Sequence, residues 1–129
     1  MISPTGQPIR KVDKWGDGRY GRSRGKRLHK GGDYDCDPGQ AVVAPIAGLV
    51  IRRARPYRKG KFSGLLIQGR HIAVKMFYLK PEKNIIGRYV HQGDTVGIAQ
   101  DISEKYPGMT PHIHVRIDSA DPEIFTCML

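Results

Sequence analysis

From about residue 40 onward the apolar residues of this chain come in short runs broken by glycine, proline and aspartate. That pattern constrains the fold more than any other feature. A helix needs apolar positions at three- and four-residue spacing over ten or more residues, and no segment here provides them. Gln40–Pro45 and Gly48–Arg53 read as two strands joined by a tight turn, followed by a basic loop over residues 54–63. Gly64–Gln68 and Ile72–Leu79 read as the next pair, turning at Gly69-Arg70. In Ile72–Leu79 a break in the alternation predicts a strand buried over most of its length. Thr95–Ala99 follows the Gln92-Gly93-Asp94 turn, one helical turn is predicted over Ile102–Tyr106, and His112–Ile117 is the last strand. Many short strands with hardly any helix predict an all-β fold, a small antiparallel sandwich or open barrel.

At 129 residues there is room for one core. Hydrophobic residues at 39% are enough to build it, and the longest apolar runs are too short to cross a bilayer. The chain therefore divides into an irregular basic arm over residues 1–28, expected to be tied down by Trp15 and Tyr20, and a β domain over residues 29–129. The opening Met1-Ile-Ser-Pro-Thr-Gly lacks the basic and apolar segments of a secretory signal. Action outside the cytoplasm would thus depend on lysis, another export route or a longer precursor.

Twenty-two Lys and Arg against twelve Asp and Glu give a formal charge of +10, much of it in the arm. Such a field favours polyanions: nucleic acid, anionic membranes or anionic wall polymers. A solvated basic surface explains the same charge. No nucleic-acid-binding signature accompanies it, so nucleic acid is the least supported partner. Cys36 and Cys127 are two cysteines far apart, with no Cys-x-x-Cys partner, and are read as free thiols.

Three histidines carry the chemistry. His29-Lys-Gly-Gly-Asp33 offers an imidazole and a carboxylate, and its paired glycines favour a turn leading into a strand rather than a helix. In His112-Ile-His114 two imidazoles share one strand face while Ile113 and Val115 turn away. Two histidines and an aspartate with an open fourth position make a catalytic zinc site, with the remaining imidazole available as a base. His71 and His91 sit beside turns and are read as surface residues.

The order His29-Lys-Gly-Gly-Asp33, Val-Val-Ala-Pro-Ile-Ala-Gly-Leu-Val, Val90-His-Gln-Gly-Asp-Thr-Val-Gly and His112-Ile-His114 resembles the lysostaphin/LytM-type zinc peptidases. Val74-Lys-Met-Phe-Tyr-Leu-Lys-Pro81, Tyr106-Pro-Gly108 and Asp121-Pro122 are similar to the branch containing leukocyte cell-derived chemotaxin 2. The resemblance implies one zinc ion per chain, held by His29, Asp33 and His114, with His112 as the base. It implies cleavage of peptide cross-bridges in bacterial peptidoglycan. The missing secretory signal, with the missing cysteine partner of Cys36, points to a phage-encoded or bacterial wall hydrolase, an endolysin, expected to be a monomer. Active members carry a histidine where this chain has Tyr78, and the chemotaxin branch shares that substitution. A phenol can donate a hydrogen bond to an oxyanion but does not readily shuttle protons at neutral pH. The alternative implied by that branch is a non-catalytic zinc-binding module recognising a receptor or glycan. The branch also pairs a cysteine at the Cys36 position with one where this chain has Ala73, so Cys36 is expected to stay reduced.

Overall fold

The structure, a computed structural model, describes residues 1–10, 23–24, 27–28 and 31–120. Its strands are β1 (Ser23–Arg24), β2 (Arg27–Leu28), β3 (Gly31–Asp35), β4 (Ala41–Val43), β5 (Gly48–Ala54) and β6 (Gly64–Gln68). They continue with β7 (Ile72–Phe77), β8 (Leu79–Pro81), β9 (Tyr89–Val90), β10 (Thr95–Ala99) and β11 (His112–Ala120). Six of them form one sheet in the order β3-β11-β7-β6-β5-β9, three form a second in the order β4-β10-β8, and β1 pairs β2. Every pairing is antiparallel. The all-β expectation holds. The only helical segment among the described residues is a 3₁₀ turn, Ile102–Glu104, capped by the Asp101 side chain on Ser103 N–H. No described helix is long and apolar enough to cross a membrane.

Alternation along the strands separates the two faces of the large sheet. Leu65, Ile67, Val74, Met76, Ile113 and Val115 point inward and pack with Val42, Leu79 and Val96 of the small sheet. Each is at most 2% exposed, so this layer is a dry core. Residues of opposite parity, including His112, His114 and Arg116 on β11, belong to the other face.

Two expectations need correction. Residues 40–45 and 48–53 are joined by a bend but do not pair. β4 lies against β10 in the small sheet, and β5 against β6 and β9 in the large one. Neighbouring strands in a sequence with Val-Val-Ala-Pro-Ile-Ala-Gly offer two apolar faces, and here the chain crosses from one layer to the other. The predicted strand Ile72–Leu79 is likewise two strands, because Tyr78 adopts φ 76° between β7 and β8. Ser63 C=O accepts from both Tyr78 N–H (2.8 Å) and Leu79 N–H (3.2 Å), and Gln100 N–H donates to Tyr78 C=O at 2.9 Å. Those bonds hold a left-handed conformation that a non-glycine residue rarely adopts.

The first ten residues are laid along the domain by main-chain bonds. Ile2 N–H donates to Pro45 C=O, Val43 N–H to Pro4 C=O, and Arg10 N–H to Asp33 C=O at 2.7 Å. Pro4 is fully buried. Trp15, Tyr20 and Cys127 lie outside the described residues.

Candidate functional site

β11 sits between β3 and β7, and its register sets the site. His114 pairs with Asp33 on one side and Phe77 on the other, while His112 pairs with Asp35. Asp33 was expected on a turn before a strand. It lies inside β3, because the two glycines before it enter the sheet instead of turning. Gly31 has a specific reason to lack a side chain. A Cβ there would stand 2.8 Å from Val115 C=O and 3.1 Å from the His114 ring.

Asp33 Oδ1 receives His114 Nδ1 at 2.6 Å and lies 3.8 Å from His112 Nε2. Its other oxygen, Oδ2, faces Arg10 Nη1 at 3.6 Å, and the Arg10 guanidinium also binds Asp35 Oδ1 at 3.0 Å. Burial alone would push the Asp33 carboxyl up. The His114 hydrogen bond and the charges of His112, His114 and Arg10 outweigh it, so Asp33 titrates below its ordinary value and stays ionised.

His112 is 5% exposed. Its Nδ1–H donates to Thr110 C=O at 2.8 Å, which fixes the tautomer and leaves the Nε2 lone pair facing Asp33. Burial lowers the His112 pKa, outweighing the Asp33 charge and the Thr110 bond that raise it, so the ring is neutral near pH 7. Tyr78 lies against it edge-on, with ring centroids 5.2 Å apart. The Tyr78 hydroxyl is 3.3 Å from that of Tyr57, and Phe62 and Tyr106 complete an aromatic cluster around Tyr57. Burial and its hydrogen bonds to Tyr106 and Tyr78 raise the Tyr57 pKa, so its hydroxyl stays protonated throughout the neutral range.

Of the sequence-predicted residues, Asp33, His112, His114 and Tyr78 come together, and His29 lies outside the described residues. Among the described residues no three His, Cys, Asp or Glu side chains are arranged as a metal cluster. The donors that are described nonetheless suit zinc: an ionised carboxylate and an imidazole nitrogen aimed at each other, beside a neutral imidazole. A metal ion held by these two groups would compete with the hydrogen bond between His114 Nδ1 and Asp33 Oδ1. His91 is exposed, 3.6 Å from Asp94, and His71 is exposed as well. Sequence reasoning missed Arg10, Thr110 and Tyr57. Arg10 is one of nine cations crowded into the first thirty positions, and nothing in the pattern singles it out.

Two sheets with this order and an outer face bearing Asp33, His112 and His114 define a protein of the lysostaphin-type peptidase fold. Solved structures agree. The chain superposes on LytU with TM-score 0.55 at 19% identity, over 100% of this chain and 88% of that one. On the catalytic domain of a point mutant of prophage-encoded M23 protein EnpA from Enterococcus faecalis, the TM-score is 0.53 at 20% identity, over 88% and 85%. No family model matches the chain. It is 34% identical over 126 residues to leukocyte cell-derived chemotaxin-2 of Mus musculus, across 95% of this chain and 82% of that protein. The Bos taurus protein is 33% identical over 120 residues, across 91% and 78%. The chain belongs to the leukocyte cell-derived chemotaxin-2 family.

Proposed function

We propose that the protein is a zinc-dependent endopeptidase of bacterial peptidoglycan cross-bridges, with His29, Asp33 and His114 as the metal ligands. The observation that carries this reading is the convergence of Asp33 Oδ1, His114 Nδ1 and His112 Nε2 at one place on the outer face of the sheet. Zinc, when bound, supplies Lewis acidity that polarises the scissile carbonyl and acidifies water. His112 Nε2 takes the proton from the attacking water and delivers it to the leaving amine, while Thr110 C=O holds its Nδ1–H. The Tyr78 hydroxyl donates to the carbonyl oxygen as charge develops there. Arg10 steadies the second oxygen of Asp33. The arm's charge keeps the protein on an anionic wall, outside the cytoplasm.

A dye-release assay on purified peptidoglycan, with and without chelator, tests the reaction. Release that stops with chelator and with His112→Ala, at unchanged zinc content, is expected. Failure to release from walls with glycine-rich and with direct cross-links refutes the hydrolytic reading.

Two observations favour a second reading, in which zinc stabilises a binding module. Tyr78 is packed into an aromatic cluster at the site, and the chain matches chemotaxins over nearly its whole length. On that reading His112→Ala has no functional consequence.

A further inference from the structure

A second row of side chains on the outer face of the large sheet has no part in the hydrolytic chemistry. Arg116 pairs with Lys75, Lys75 with Leu66, and Leu66 with Arg52. Three cations thus lie on one line across four strands. That line runs two residues, about 7 Å, along the strands from the His114–Phe77–Gly64 line. Arg55 lines the same groove. The result is a groove of about 280 Å³ rimmed by Arg52, Arg55, Lys75 and Arg116 and reaching His114 and Tyr78.

Among the described residues one carboxylate answers these four cations. Asp118 Oδ1 is 3.1 Å from Lys75 Nζ and 3.6 Å from Arg116 Nη2. Arg52 lines the groove and donates one N–H to Arg53 C=O at 3.0 Å, which leaves its other N–H groups available. The Arg116 guanidinium stands 5.8 Å from the Phe77 ring centroid, so its plane is braced. Lys75 is a mid-strand residue only 18% exposed, unlike a lysine placed for solubility. Like charges gathered in a groove make a standing positive field, and forked guanidiniums match carboxylate geometry.

We propose that this groove is an acidic-residue subsite: it takes a carboxylate of a peptide held two residues from the position beside His112 and His114. Its location relative to a scissile bond rests on the peptidase reading, but its chemistry is tested by binding alone. N-acetylated, C-amidated pentaglycine carries no charge. Calorimetric titration of the full chain compares it with the same peptide carrying Glu at each position in turn. The expected result is binding about tenfold tighter for at least one Glu peptide, weakening with salt. The preference persists with chelator, and Arg52→Gln with Arg116→Gln abolishes it. Lys59→Gln with Lys83→Gln, which removes the same charge from exposed positions outside the groove, leaves it intact.

Equal binding of neutral and acidic peptides overturns the proposal. So does an equal loss in both double variants, which would mean bulk charge alone. If the preference persists while no peptide or wall is cleaved, the subsite stands and the peptidase reading falls.

Discussion

Asp33 divides its two oxygens between opposite tasks, Oδ1 toward His114 and His112 and Oδ2 toward Arg10. Removing it should therefore do more than delete one charge. Asp33→Ala and His114→Ala should each bring zinc, measured by elemental analysis, from about one equivalent to near zero, with a lower Tm. Wild-type protein that takes up no metal would sink the ligand assignment and both functions with it. Tyr78→Phe keeps the ring against His112 and deletes only the hydroxyl. If that hydroxyl serves the oxyanion, kcat should fall by about 10²-fold while zinc content holds, and unchanged kcat would reduce Tyr78 to packing. Cys36 is a buried free thiol whose pKa is pushed up to about 11 by burial and by Asp35, Asp37 and Asp101. Peptide mapping after iodoacetamide treatment at pH 8 should find it almost unmodified in the native protein and modified on unfolding. Rapid native labelling would contradict its burial.

At the scale of elements, β11 decides the site, because a single strand carries His112 and His114 and is held in register from both sides. A one-residue slip would turn both imidazoles into the core. Gly31 guards this arrangement, since any side chain there meets the Val115 carbonyl and the His114 ring. Gly31→Ala should cost about 1–3 kcal/mol by overpacking and weaken zinc binding. Calorimetry and metal titration check the two effects separately, and a fully stable variant with unchanged affinity would show that β3 has room to shift. The opening segment contributes its own support through Pro4, through the isolated bridge between Ile9 and Tyr34, and through Arg10. Among the strands, β6 and β7 were readable because each is a run of β-formers with a turn between. β8 and β9 were not, being three- and two-residue pieces whose pairing comes entirely from partners distant in sequence.

The molecule as a whole should respond to acid with one sign. His112 in the folded protein titrates below its usual 6.5, and Asp33 below its usual 3.8. Both bind protons more readily when unfolded, so their contribution is complete above about pH 6.5. It is lost as pH falls, first through the histidine range and then through the carboxylate range. The Tm of chelator-treated protein should thus decline from pH 8 to pH 5 and further below pH 4, and a flat profile would contradict the assigned environments. What the sequence determined by itself was periodic or compositional. Short β-forming runs between turns dictated an all-β fold, and the alternation in His112-Ile-His114 put two imidazoles on one face. The His-x-x-x-Asp motif flagged Asp33. Only the tertiary structure decided which strands pair across layers, that Asp33 sits within a strand opposite His114, and that Arg10 and Thr110 orient the site. It alone aligned Arg52, Lys75 and Arg116 in one row. The physical reason is that local pattern specifies which way a side chain points. What it points at depends on register between segments dozens of residues apart, and that register is set by burying one shared core.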